Sequence, residues 1–289
     1  MMAKTLSSNT LRNSLLVLLG LLLGSWTLPL AAQQADTAAT TKLAFSHSLA
    51  ISSPTTISID RNGSVYLLGP KRNLVKLDSL GQPLHTFSPP SRGRISTVEA
   101  WNPMKVFLFY EDRQELVLLD RFMRPVATSR LFDLNYTGSV RAATLTPDDS
   151  YWLFNESDFT LSKVDLRYQK PIVETPLNLI LDKNRFDVRF VREYQNMVYL
   201  LDHNGGIYVF DNLGNYKKKL PFTGLSYIGF IGNELYFVKD GQLHFFDLYQ
   251  LKTRTMPLPA AKSYIAALVG PSSLYLFTAD QVEIYRWQR

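Results

Sequence analysis

Cysteine is absent from this chain, which excludes a disulfide framework, thiol nucleophiles, cysteine-ligated zinc and a lipidated N-terminal cysteine. Histidine is scarce: His47, His85, His203 and His244 are the whole supply, and none pairs with another at HxH or HExxH spacing. Zinc-type metal chemistry therefore has no ligand set to build on. A glycine-rich phosphate cradle and a GxSxG nucleophile elbow are also missing, so nucleotide binding and α/β-hydrolase chemistry lack their motifs. Excess charge is small. Lys and Arg total 31 against 25 Asp and Glu; without Lys4 and Arg12 the balance is 29 minus 25, or +4, too weak to point to nucleic acid or an anionic membrane. Beyond the first 32 residues no segment approaches the roughly 18 uncharged apolar residues of a spanning helix. No helical apolar stripe recurs either.

Lys4 and Arg12 stand apart because they precede an apolar run from Leu15 to Leu23, which Trp26 to Leu30 extend and Ala31 and Ala32 close. Charged, greasy and small-residue regions in that order predict a secretory signal peptide over residues 1–32, cut after Ala32. Residues 33–41, rich in Ala, Thr and Gln, hold too little apolar bulk to pack and read as a flexible tether. The rest, 42–289, belongs to a chain with 46% hydrophobic and 19% charged residues and is long enough to bury a large core. The expected address is outside the cytoplasm: periplasmic or outer-membrane associated, or secreted.

Within 42–289 a repeat of about 42 residues governs the organisation. An aromatic with apolar neighbours recurs as Tyr66 in VYLL, Phe107 in VFLF, Trp152 in YWLF, Tyr199 in VYLL, Tyr236 in LYFV and Tyr275 in LYLF. Their spacings are 41, 45, 47, 37 and 39. A second alternating segment follows each and ends in Asp78, Asp120, Asp165, Asp211 or Asp247; the sixth ends in Arg286. Turn residues then lead into a further extended stretch, and one more stretch precedes each aromatic segment, as in TISID, STVEA and DVRFV. Four short strands per unit, joined by turns bearing Gly, Asn, Asp and Pro, predict an all-β, six-bladed β-propeller with four-stranded blades. The aromatics are expected to wedge between neighbouring blades, each contributing about 1.5–3 kcal/mol of burial. The sixth unit holds only three strands, whereas an extra strand-like segment at 42–49 precedes the first. The N-terminal strand is therefore expected to close the last blade and hide an edge that would otherwise aggregate.

The aromatic second strand and the Asp-terminated third strand resemble six-bladed propellers of the broad NHL and TolB-like kind, over nearly all of 42–289. More narrowly, FDNLGNYKKKLPF from Phe210 and LDRF from Leu119 are similar to a group of exported propeller proteins in Bacteroidota. That resemblance implies an envelope location in a Gram-negative bacterium and implies no activity.

Asp60, Asn62 and Gly63 in DRNGS offer the oxygens of a calcium loop, but Lys71 stands where the closing carboxylate is needed. A hairpin turn is expected there instead. The five aspartates that end third strands should accept bonds from turn N–H groups, and around a ring they cannot form one metal site. Lys217, Lys218 and Lys219 fall on a predicted outermost strand, where lysine discourages sheet-to-sheet pairing. The sequons at Asn62, Asn135 and Asn155 matter only in a eukaryotic secretory route.

In a propeller the innermost strands line a central channel. Counting back nine to eleven residues from each aromatic brings Arg141, Arg189, Tyr227 and Tyr264 to similar inner positions. Glu99 is close by, and Asp187, Arg192 and Glu193 flank the fourth. Arg offers forked donors and Tyr a flat face with a hydroxyl, so Glu99, Arg141, Arg189, Tyr227 and Tyr264 form a candidate ring for a carboxylate, sugar or acidic peptide. The alternative is a water-filled channel whose charges pair with one another.

Two functions fit. One is a non-catalytic binding or scaffold module of the cell envelope, monomeric and without cofactor, that engages another envelope or secreted protein, or a glycan, but not nucleic acid. It would use a propeller face or channel mouth, with Trp101, Phe132, Tyr136 and Phe222 as loop anchors. The other is a metal-assisted, lactonase-like hydrolase with its site at the central channel. Glu99, Asn102 and Asp187 are the only oxygen donors to nominate for it, and neighbouring arginines oppose a cation. The first reading is expected, since it needs no reaction motif.

Overall fold

The second and third segments of each repeat are continuous apolar runs, and such runs form strands packed on both faces. The computed structural model, which describes residues 43–286 apart from 90–92, 135, 166 and 169, bears this out. The predicted signal, the tether and Lys42 lie outside the described residues. First in the chain is β1 (Ala44–Ala50). Blade 1 follows as β2 (Ile57–Ile59), β3 (Val65–Leu68), β4 (Leu74–Leu77) and β5 (Pro83–Phe87). Blade 2 is β6 (Ile95–Glu99), β7 (Lys105–Tyr110), β8 (Glu115–Asp120) and β9 (Pro125–Arg130). Blade 3 is β10 (Val140–Leu145), β11 (Tyr151–Asn155), β12 (Thr160–Asp165) and β13 (Lys170–Pro176). Blade 4 is β14 (Val188–Tyr194), β15 (Met197–Asp202), β16 (Gly206–Asp211) and β17 (Tyr216–Leu220). Blade 5 is β18 (Gly229–Ile231), β19 (Glu234–Lys239), β20 (Gln242–Asp247) and β21 (Thr253–Pro257). Blade 6 is β22 (Ala266–Val269), β23 (Ser273–Phe277) and β24 (Gln281–Arg286), completed by β1.

The fold is thus all-β, with six antiparallel four-stranded blades arranged as a propeller. Closure is as the repeat count requires: β1 pairs antiparallel with β24, from Ala44 opposite Arg286 to Ala50 opposite Gln281. Burial falls off outward. All four residues of β3 are buried, whereas four of the five in β5 are exposed. Lys217 to Lys219 sit on β17, the outermost strand of blade 4, where their charge blunts the free edge.

The second-strand aromatics seal the seams between blades. Tyr66 packs with blade 2, Phe107 with blade 3, Trp152 with blade 4 and Tyr236 with blade 6, all essentially without exposure. Tyr199 and Tyr275 share the core that joins blade 4 to 5 and blade 6 to 1. Polar handles cross the same seams: Trp152 Nε1 donates to Glu193 Oε2 at 2.8 Å, and Tyr275 Oη donates to the Asp78 carbonyl at 3.2 Å. A ring that fills the seam and bonds across it fixes both the distance and the rotation of the next blade.

The inner strands run in one direction, so each begins at one face of the propeller, here the upper, and ends at the lower. Antiparallel alternation then places second-to-third turns and blade-to-blade connections on the upper face. First-to-second and third-to-fourth turns lie on the lower face, and these two sets of loops frame the channel.

Candidate functional site

At the upper mouth, residues of blades 1 to 4 and of the connections leading into blades 5 and 6 surround an opening of about 760 Å³. The inner strands of blades 2, 3 and 4 each open with a register shift, between Ile95 and Thr97, Val140 and Ala142, and Val188 and Phe190. The bulged residues are Ser96, Arg141 and Arg189, and a bulge re-aims its side chain; all three line this mouth. Arg141 Nη1 lies 2.6 Å from Glu111 Oε1, and Arg94 Nη2 lies 3.0 Å from Glu111 Oε2. Arg189 donates from Nε and Nη2 to Asp187 Oδ2 at 2.9 and 2.6 Å, and from Nη1 to Ser226 Oγ at 3.2 Å. The Arg189 bonds hold the Asp187 carboxyl below its usual range, against the opposing effect of burial. Arg94, Arg141 and Arg189 are therefore each paired with a local carboxylate, and all three remain part-exposed.

Glu99 and Tyr227 belong to the other end. They line a lower cavity of about 310 Å³ with Ile59, Trp101, Pro147, Arg192, Glu193, Tyr194, Gln195, Gly229, Phe230 and Tyr236. Its position follows from register. Directly across the strand pair from the six aromatics stand Ser58, Glu99, Thr144, Arg192, Gly229 and Leu268. Glu99 Oε2 accepts from Thr144 Oγ1 of the next blade, and Arg192 Nε lies 3.2 Å from Glu99 Oε1. Burial pushes the Glu99 carboxyl up, although Arg192 and Thr144 pull it back. Burial also raises the Glu193 carboxyl and lifts the Tyr227 hydroxyl to about 12. Gly229 is required here, because a Cβ would stand 2.1 Å from Cζ of the Tyr236 ring.

The walls of this cavity are aromatic. Tyr194 stacks on Phe230 at 4.6 Å and 21°, and Trp101 meets Tyr194 edge-on at 6.1 Å. Tyr194 Oη donates to the Gly232 carbonyl at 2.7 Å, which locks the ring. The floor is the Glu99–Arg192 pair. Arg192 Nε and Nη2 are sealed from solvent and make no hydrogen bond of good geometry, Nε meeting Glu99 as an ion pair only, and the guanidinium carbon sits 5.1 Å from the Phe190 centroid.

The five residues expected to share one ring are thus divided. Arg141 and Arg189 meet at the upper mouth, Glu99 and Tyr227 at the lower. Tyr264 faces away from the channel, in the seam between blades 5 and 6, where Oη donates to Glu283 Oε2 at 2.5 Å. Glu99 and Asp187, two of the three oxygen donors weighed for a cation, lie at opposite ends. The third, Asn102, accepts from the Met104 N–H at 3.0 Å in its own turn. Among the described residues no group of three or more His, Asp or Glu could hold a metal ion. Asp60 holds a turn, accepting from the N–H groups of Asn62 and Ser64 at 2.9 Å each. Asn155 is buried, and Asn135 lies outside the described residues.

Apart from Trp101, sequence reasoning missed the apolar tips of the lower turns. Leu80, Phe122, Tyr168, Leu213, Tyr249 and Leu251 follow the aspartates that end third strands, and Trp101 and Met104 lie in the first-to-second turn of blade 2; all eight are exposed. Fifteen large hydrophobic residues are exposed among the described residues, so this one face carries more than half. Of the loop anchors named earlier, Trp101 is 47% and Phe132 83% exposed. Phe222 packs on Phe237 and Phe246, and Tyr136 packs against the seam of blades 2 and 3. The signal for the tips was present: a large apolar residue two or three places after each Asp, where a turn needs none.

No family model matches the chain, and no curated protein matches its sequence. Among solved structures, BamB from Moraxella catarrhalis matches with a TM-score of 0.50 and 11% identity, over 86% of this chain and 98% of that one. The Pan2 WD40 domain of Neurospora crassa matches with a TM-score of 0.54 and 11% identity, over 82% of this chain and 90% of that one. At such identity the likeness reaches the architecture and stops there: this chain is a six-bladed β-propeller.

Proposed function

We propose that this protein is a non-catalytic binding module of a bacterial cell envelope that holds another envelope or secreted protein against its lower face. One observation carries the reading: five blades independently place a large exposed apolar side chain at the tip of the same turn. Exposed apolar area concentrated on one face marks an interaction surface, since it gains nothing for the monomer. The composition suits protein contact. Arg121 and Arg124 lie 4.6 and 5.2 Å from the Phe122 ring and Arg167 lies 5.7 Å from Tyr168, and Trp, Tyr and Arg dominate interface hot spots.

The N-terminal pattern and the likeness of FDNLGNYKKKLPF to exported Bacteroidota propellers support an envelope address. Among the described residues no helix is long and apolar enough to cross a membrane. A channel hydrolase would need its oxygen ligands together at one mouth, and Glu99 and Asp187 are at different mouths. The test is a photo-crosslinking residue placed singly at Leu80, Leu213 and Tyr249, with Phe132 and Leu179 on the upper face for comparison, in intact cells. The three lower positions should give one common adduct of defined mass, sensitive to protease. Adducts from the upper positions alone, or none from the lower, overturn the reading.

A further inference from the structure

The lower cavity opens in the middle of the proposed docking face, and its construction says what would enter. Aromatic rings from Trp101, Tyr194, Tyr227 and Phe230 wall about 310 Å³, a volume at the small end of ligand sites. At its floor, Arg192 donates no hydrogen bond among the described residues, although its side chain is only 11% exposed. Nε faces Glu99 Oε1 at 3.2 Å, and Nε and Nη2 are sealed from the cavity, so Nη1 is the guanidinium donor left to meet an oxygen acceptor there. The charge of that acceptor follows from the neighbours. Arg192 is already faced by Glu99, and Glu193 lines the same cavity with its carboxylate held by Trp152 Nε1. One guanidinium against two carboxylates repels a further anion. A cation suits aromatic walls, but Arg192 already occupies the cationic place beside Glu99.

We infer that the lower cavity receives an aromatic or apolar side chain of a polypeptide partner, with a neutral amide carbonyl beside it accepting from Arg192. This inference rests on the docking face being the lower one, and it adds the anchor chemistry. Trp101, standing at the rim, would close over the guest ring.

Three probes of one shape and different charge test it on the full chain by calorimetry or protein NMR: N-acetyltryptophanamide, which is neutral, N-acetyltryptophan, an anion, and tryptophanamide, a cation. The neutral amide should saturate in the millimolar range, as a fragment of this size allows, and the two charged probes should bind at least fivefold more weakly. Arg192→Lys keeps the charge and loses the fork, and it should weaken the amide at least fivefold. Trp101→Ala, at an exposed rim position that leaves the core intact, should weaken it similarly. Tighter binding of either charged probe, an unchanged affinity in both variants, or no saturable binding of the amide overturns the inference. Crosslinks from Leu213 and Tyr249 without amide binding would leave the docking face standing and remove only the anchor. Amide binding without lower-face crosslinks would do the reverse.

Discussion

Single aspartates carry the lower turns. Asp120 Oδ1 accepts from the Phe122 and Arg124 N–H groups at 2.8 and 2.9 Å, and Asp211 Oδ1 from Leu213 and Asn215 at 3.0 and 2.9 Å. Asp247 Oδ1 does the same for Tyr249 and Gln250. These bonds hold the carboxyls of Asp120 and Asp247 below their usual range; for Asp211 the Asn215 side-chain amide, donating to Oδ2 at 3.0 Å, does most of this with the N–H groups adding to it, and for Asp165 the Arg167 side chain does so. A depressed folded pKa contributes stability above the unfolded value, near pH 4, that is lost as pH falls through the folded value. Glu99 and Glu193, raised by burial, act in the opposite sense, but they are fewer. The melting temperature should therefore drop on going from pH 5 to about pH 3, and replacing Asp120, Asp165, Asp211 and Asp247 together by Asn should flatten that slope. A second residue-scale expectation concerns Trp152. Trp152→Phe keeps the seam filled but strips Glu193 of its donor, which should cost about 1–3 kcal/mol. Trp152→Ala also opens a cavity and should cost about 3–5 kcal/mol in urea denaturation. The role of the turn aspartates was readable in the sequence because an Asx turn is local. The placement of Arg141, Arg189 and Tyr264 was not.

Strand pairing explains that difference. The residue opposite each aromatic lies seven or eight places before it, as in Arg192 with Tyr199 and Glu99 with Phe107. Counting nine to eleven places lands beyond it, on bulged residues or in a connection. An odd offset also turns a side chain to the other face of its sheet. The blades themselves were legible because the aromatic and the Asp recur whatever the loop lengths, and the surplus strand at the start announced the clasp. That clasp is testable as an element. Deleting residues 44–50 should leave β24 as an open edge and yield insoluble or sharply destabilised protein; a soluble monomer with an unchanged melting temperature would refute the closure. Conversely, Ala50 and Gln281 are cross-strand partners. In a chain with no native cysteine, Ala50→Cys with Gln281→Cys should form the sole disulfide and raise unfolding stability by about 2–4 kcal/mol over its reduced form.

The whole molecule divides its labour between faces. The upper mouth is charged and internally paired, while the lower face is apolar at its turn tips with a cavity in the middle. Changing Leu80, Leu213 and Tyr249 together to Asp should leave stability within about 0.5 kcal/mol per site, because all three side chains are exposed and Tyr249 gives up only an exposed bond to Gln195 Oε1. With the photo-crosslinking residue placed instead at Phe122, an exposed tip of the same face, the same change should abolish the lower-face crosslink. A variant that loses the fold along with the adduct would count against turn tips being free of structural duty. The clasp between β1 and β24 has its own bearing on how the molecule is made. Ala44 and Arg286, which face each other in the finished blade, stand at opposite ends of the described polypeptide. Within the ring, β1 must therefore wait without its partner until β24 has been made. Pairing across such sequence separation is slow. Ring closure as a late step, after all six blades have been made, is the folding order this connectivity favours.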